Sequence, residues 1–369
     1  MNRSVRKSAA GFTLVEMLMA VFLSALIMGG AVTLFKKGVD VTTITSQRAQ
    51  MQTDLRAAED MIIKDLSMAG AGMWQGGIAV PAVAPAPRYG CDLAGVCYVT
   101  ATFPTFPTLG ISNTAYYMLA GPSKGPVITV GQPATDTVTM IYADQQFLLN
   151  DYVMTINAAG TGATFTPPAI IPNPVPQDVD DPVVGLRPGD VLQLTTKTGP
   201  ALVTVTGNVT KAGAGAATIW TVPFANGDIL HLNNSASPVG VQAIKGGTNQ
   251  SATRVLIITY YIDTITDLAG NVTPRLMRQV NTQKPVPLAD NIINLKLTYD
   301  TYDDSGVLQS ELPDAGAGST PAITPALIQK VNLAALTART ATRGPMGFQG
   351  LNLQTQVSVR NLSFKNRYQ

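Results

Sequence analysis

Between Lys7 and Lys36 the chain carries one charge, Glu16, inside a run that is otherwise apolar or small. Among residues 12–35 only Thr13, Glu16, Ser24, Gly29, Gly30 and Thr33 are not apolar. In a helix, at about 1.5 Å per residue, this run reaches roughly 36 Å, enough to cross a hydrocarbon core of about 30 Å. A carboxylate inside hydrocarbon is costly, so Glu16 needs a reason. Arg3, Arg6 and Lys7 precede the run and favour a cytoplasmic N-terminus, a contrast that Lys36 and Lys37 on the far side weaken. A secretory signal places its small-residue cleavage site after the apolar region. Here the small-residue stretch, "SAAG" at residues 8–11, comes before it, so cleavage there leaves the hydrophobic segment on the mature chain.

A short basic leader ending in Gly11, followed by "FTLVE", resembles the class III signal of type IV prepilins and type II secretion pseudopilins. The resemblance implies that a prepilin peptidase cuts after Gly11 and methylates the new N-terminus, Phe12. It also implies that Glu16 is the acid used in filament assembly. The physical reading is compatible: cleavage frees an α-amino group on Phe12 that enters a core of apolar helices, where an unpaired charge is costly. Glu16 of a neighbouring subunit supplies the opposite charge. The competing reading is a plain membrane anchor with a stray glutamate. Gly29 and Gly30 lie mid-helix, where two glycines cost about 1–2 kcal/mol relative to alanines. They serve either close packing between membrane helices or bending when the subunit leaves the bilayer, as other pilins imply.

Helical periodicity continues beyond the apolar run through Val41, Ile44, Arg48, Met51, Leu55, Ala58 and Ile62. Arg56–Asp60 and Asp60–Lys64 have the spacing of surface ion pairs. The glycines of "GAGMWQGG" predict an end near Ala69. "LRAAEDMIIKDLSMAGAG" is similar to the segment that closes this helix in PilW-type minor pilins. "PVPLADNIINLKLTYD" and "LQTQVSVRNLSF" resemble the penultimate and closing strands of that family. The implied fold class is α+β: a long N-terminal helix, membrane-spanning in its first half, packed on an antiparallel sheet of a β-rich globular region. The corresponding divisions are a leader at 1–11, a transmembrane half at 12–35, an amphipathic half at 36–70 and a globular domain at 71–369.

In the middle of the chain, "VPAVAPAP" and "ATFPTFP" read as irregular, since proline is excluded from central strands. A Pro-rich loop at 166–182 either crosses the surface or separates two lobes. "GDVLQL" at 189–194 and "GDILHL" at 227–232 both read as strands after a Gly-Asp turn. "RVLIITYYI" and "RLMRQV" around "TDLAGN" read as a hairpin, and "INLKLTYDTYDDSGVLQSEL" as strand, turn and strand.

A body exported past the cytoplasmic membrane meets an oxidising compartment, so Cys91 and Cys97 in "CDLAGVC" are expected to form a disulfide. A metal site would lack ligands, since the single histidine, His231, is far away in a strand pattern. Asp300, Asp303, Asp304 and Glu311 invite a calcium reading, but Tyr302 and Ser305 break the EF-hand template, and a solvated turn is preferred. No phosphate loop, metalloprotease helix or nucleophile elbow is present, which argues against an enzyme. Without residues 1–11 the chain holds 22 basic against 23 acidic residues, so nucleic acid is not an expected partner. Neither a cofactor nor a small-molecule substrate is expected. The expected partners are prepilin peptidase, other minor and major pilins, and the inner membrane. The expected role is a PilW-like minor pilus subunit that primes assembly near the filament tip. The alternatives are a minor pseudopilin of a type II secretion system, and a tip adhesin or DNA-uptake subunit using residues 75–250.

Overall fold

The computed structural model describes residues 12–103, 113–129, 131–170, 177–268, 270–302, 307–314, 325–341, 347–359 and 361–362. Two units are defined by internal contacts: Met1–Met51 with Thr340–Gln349, and Gln52–Arg339 with Gly350–Gln369. One helix, α1 (Leu14–Met68), contributes residues to both, and its end lies one residue from the predicted Ala69.

In the first unit α1 is apolar and exposed as far as Phe35. Phe12, Leu14, Ile27, Met28, Leu34 and Phe35 are all more than 70% exposed, a surface that requires lipid or other helices. Helix continues through Gly29 and Gly30, where an added Cβ would meet nothing. The hydroxyls of this stretch are satisfied locally: Ser24 donates to the Ala20 carbonyl at 2.6 Å and Thr33 to that of Gly29 at 2.8 Å. The predicted apolar stripe is not buried here, since Val41 is exposed and Ile44 half-exposed. Arg48 instead donates to the Gln349 side chain.

Burial begins in the second unit, at Leu55, Ala58, Ile62, Asp65 and Leu66, which keep the helical spacing of the stripe. The pairs Arg56–Asp60 and Asp60–Lys64 are not among the ion pairs of the described residues; all three side chains are exposed, where water competes for them.

The strands, in chain order, are β1 (Ile78–Ala79), β2 (Arg88–Cys91), β3 (Cys97–Thr102), β4 (Thr114–Ala115), β5 (Met118–Gly121), β6 (Thr137–Ala143), β7 (Val153–Ile156) and β8 (Gly162–Thr166). There follow β9 (Val191–Thr196), β10 (Gly199–Thr204), β11 (Thr210–Ala212), β12 (Ile219–Pro223), a short helix α2 (Val241–Ile244), β13 (Ser251–Thr266) and β14 (Val272–Val280). The last are β15 (Val286–Asp290), β16 (Ile292–Tyr302), β17 (Leu308–Leu312), β18 (Ile328–Arg339) and β19 (Gly350–Ser358). All pairings among them are antiparallel, so the α+β class is observed.

The largest sheet has seven strands, in the order β10-β9-β13-β14-β15 with β6 and β5 added beyond β13. Its spine is β13, which contributes the predicted hairpin with β14 and pairs with β6 on its other side. Asn281 fills the interval between β9 and β14: its Oδ1 accepts from the Ile257 amide at 2.7 Å and its Nδ2 donates to the Val255 carbonyl at 3.1 Å. A four-stranded sheet, β11-β12-β8-β7, packs its Phe165, Trp220 and Val222 with Leu192, Leu194 and Val203 of the seven-stranded sheet in one apolar cluster. The Pro-rich segment leaves β8 and returns at β9, within this cluster; its residues 171–176 lie outside the described ones.

The third large sheet has the order β17-β16-β18-β19. It contains the predicted strand-turn-strand, although its turn residues lie outside the described set. It corrects the reading of residues 285–300 as the penultimate strand region, because β17 and β18 intervene before the closing strand. Asp136 links this sheet to the seven-stranded one, accepting from the Ser123 amide at 2.8 Å, the Leu297 amide at 3.0 Å and Lys296 Nζ at 2.7 Å.

Two further expectations are corrected. Residues 227–232 form a turn, not a strand. Asp228 accepts from the amides of Leu232 at 3.1 Å and Asn233 at 2.9 Å, which curls the chain before it can extend. Consequently His231 sits at φ 57° in that turn, its Nδ1 3.0 Å from the Ala86 carbonyl, and not in a strand.

Burial raises the phenol pKa of Tyr89, Tyr117, Tyr142, Tyr260, Tyr261 and Tyr299. Each folded-state value lies above the unfolded value of about 10. The stability tied to these groups is therefore complete below that value and is lost as pH rises beyond it, because only the unfolded chain releases the protons. An alkaline titration followed at 295 nm should show these phenols ionising together with loss of near-ultraviolet circular dichroism; ionisation ahead of unfolding would contradict it.

Candidate functional site

The N-terminal constellation is built by the first turn of α1. Thr13 precedes the helix, and its Oγ1 accepts from the Glu16 amide at 3.3 Å. Glu16 reaches back, its Oε2 accepting from the Thr13 amide at 3.1 Å and from Thr13 Oγ1 at 3.0 Å. This is a reciprocal capping box, in which a threonine and a glutamate three residues later satisfy each other's exposed amides. The negative charge also lies at the positive end of the helix dipole. Glu16 thus has a role in the single chain that the reading of the sequence missed, although "TLVE" carries the signature. Phe12, 83% exposed, stands immediately outside the cap. Gly11 lies outside the described residues.

At the other end, α1 is fixed to the seven-stranded sheet through Asp65, which is 2% exposed. Its carboxylate accepts from Tyr142 Oη of β6 at 2.8 Å, Tyr260 Oη of β13 at 2.5 Å and Arg278 Nε of β14 at 2.8 Å. Burial works against the Arg278 charge, but the hydrogen bond and charge of Asp65 outweigh it and hold the guanidinium pKa above its ordinary value. Three strands of one sheet therefore converge on one helical carboxylate. The helix then stops at Gly70, in the left-handed region at φ 77°, whose amide donates to the Ile141 carbonyl of β6 at 2.9 Å. An added Cβ there would come within 2.9 Å of Leu362, so the site requires glycine. The repeated sequence pattern around Asp65 was legible, but its three partners, far apart along the chain, were not.

Cys91 and Cys97 form a disulfide, as expected. They stand directly opposite each other on β2 and β3, with Cα atoms 3.9 Å apart. The enclosed Asp92 accepts from the amides of Ala94 at 2.9 Å and Val96 at 3.0 Å and from Tyr98 Oη at 2.8 Å.

Of the calcium candidates, Asp303 and Asp304 lie outside the described residues. Asp300 is occupied by protein donors: the Glu311 amide at 2.9 Å, Asn332 Nδ2 at 2.9 Å and Lys330 Nζ at 3.4 Å. Burial works to raise its pKa, and these donors outweigh it, holding the carboxyl below the usual range. Among the described residues no group of three or more histidine, cysteine or acidic side chains could hold a metal.

No curated protein and no solved structure matches the chain. Residues 6–32 match the family model of the prokaryotic N-terminal methylation motif, the mark of a type IV pilin-like precursor.

Proposed function

We propose that the chain is a minor type IV pilus subunit of the PilW type, held in the inner membrane as a precursor and then built into the filament near its tip to prime assembly. The observation that carries this reading is the N-terminal constellation, in which Phe12 and a helix-capping Glu16 open an uncovered apolar helix and the sequence before them ends in Gly11. Residues 1–11 act as the leader, and prepilin peptidase cuts after Gly11 and methylates Phe12. Residues 12–35 span the membrane and later the filament core, and Gly29 and Gly30 let the helix adjust between the two. Residues 36–70 join this segment to the globular domain at 71–369, exposed first to the periplasm and then outside the cell. Its work is structural and calls for no catalysis.

Co-expression with a prepilin peptidase should yield a chain beginning at N-methylated Phe12 by mass spectrometry, and Gly11→Val should remain uncut. A Gly11→Val chain that is still processed at Phe12 would defeat the reading. Deletion of the chain should abolish surface pili while exoprotein secretion persists. The opposite phenotype would reassign it to a type II secretion pseudopilus.

A further inference from the structure

The four-stranded sheet ends at β19, which pairs with β18 on one side and, among the described residues, with no strand on the other. A free edge is a template for another chain, and proteins usually blunt one with charge, proline, a bulge or short length. The strands that end the three larger sheets elsewhere are blunted. Pro287 and Asp290 stand in β15, and β17 has five residues with Glu311 at φ 57°. Three residues with Lys211 make up β11, while β7 and β5 have four each. Pro200 stands in β10, which α2 packs against. In contrast, β19 has nine residues, "GLNLQTQVS", with neither charge nor proline.

Its two faces carry the pattern of a strand with a neighbour on each side. Leu353 and Val357 stand opposite the fully buried Leu336 and Val331 of β18, so the core continues into β19. It ends there half-covered, with Leu351, Leu353 and Thr355 partly exposed. On the other face Asn352, Gln354 and Gln356 are exposed. Beside them Thr298, Asn332, Gln354 and Gln356, together with Glu311 of β17, line a recess of about 430 Å³. Asn332 directs its Nδ2 to Asp300, which fixes the amide orientation, and its Oδ1 has no partner among the described residues.

We infer that β19 receives an extended strand from another pilin-like subunit. Main-chain hydrogen bonds along the edge supply the affinity, and alternate side chains supply the specificity. The partner strand presents apolar residues toward Leu351, Leu353 and Thr355, and hydrogen-bonding residues other than acids toward Asn352, Gln354 and Gln356, since Glu311 lines the same recess. An uncharged edge sets no like-charge barrier. Subunits held in one membrane by equivalent helices meet at high effective concentration, so a modest edge contact suffices. This partner rests on the pilus reading above.

The test places a benzoylphenylalanine photo-crosslinker at Gln354 of the full chain in cells, with Thr210 of β11 as the control position. The expected result is an adduct, at least about tenfold over the control, with a different chain that carries an N-terminal methylation motif. Adding Asn352→Lys and Gln356→Lys as edge guards should lower it at least about tenfold without moving the melting temperature. An adduct with a second copy of this chain, an adduct with a protein lacking the motif, or no adduct overturns the inference. The N-terminus of the same sample separates the two ideas: a chain correctly processed at Phe12 but without adduct sinks only the edge contact. An unprocessed chain sinks the pilus reading and the partner with it.

Discussion

Asp65→Ala is expected to lower the stability of the globular region by about 2–5 kcal/mol, because it takes the shared acceptor from a half-buried guanidinium and two tyrosine hydroxyls. The Arg278 side chain is 23% exposed, and its Nε would retain only the Tyr260 hydroxyl at 3.2 Å. Tyr142 and Tyr260 would lose their acceptor at the same time, and a buried donor left unmade costs about 1–3 kcal/mol on its own. The damage should be concentrated where α1 meets the sheet, since Asp65 contributes to β6, β13 and β14 together. Urea unfolding of the full chain in detergent micelles, followed by near-ultraviolet circular dichroism, measures it. The double variant Asp65→Leu/Arg278→Met should recover the part of the loss that comes from the unpaired charge, because an apolar pair can replace an ion pair at little cost, while Tyr142 and Tyr260 still lack their acceptor. A loss below about 1 kcal/mol for Asp65→Ala would show that solvent reaches the guanidinium and that the helix is held by apolar packing alone.

How much of this was legible in the sequence differs by region. The helix and its end were, because a 3.6-residue pattern terminated by glycines is a local signal. So were the β13–β14 hairpin and the β16–β17 unit, where alternation and a short turn lie within one stretch. The extent of burial along α1 was not, since periodicity identifies a face but not what covers it. Among the described residues of α1, only Leu55, Ala58, Ile62, Asp65 and Leu66 are buried. The "GDILHL" segment failed because a single acid, Asp228, captured two amides that a strand would have used. Asp65 was the largest omission. A carboxylate near a helix end reads as a surface residue, and only long-range pairing reveals Tyr142, Tyr260 and Arg278 around it. The disulfide was readable because its two cysteines are local, and β2–β3 pairing sets them opposite each other.

Glu16→Ala is expected to leave processing after Gly11 intact while lowering incorporation into filaments by at least about a hundredfold. Removing one partner of a buried charge pair costs about 3–5 kcal/mol, and each 1.4 kcal/mol is a factor of ten. The capping box makes this prediction more demanding, because Glu16 also supports the first turn of its own helix through Thr13. Losing that cap costs about 0.5–2 kcal/mol of helix stability, which is too little to produce the expected defect. Thr13→Ala separates the two roles. It removes the hydroxyl half of the box and leaves the carboxylate free to meet the Phe12 amine of a neighbour, so incorporation should fall by no more than about thirtyfold. Quantitative immunoblots of sheared filaments, with N-terminal mass spectrometry of the membrane pool, give both readouts. Normal incorporation of Glu16→Ala would remove the counter-charge role. If Thr13→Ala were as deficient as Glu16→Ala, the carboxylate would act through the helix cap, and the family motif would owe its glutamate to the shape of the first turn.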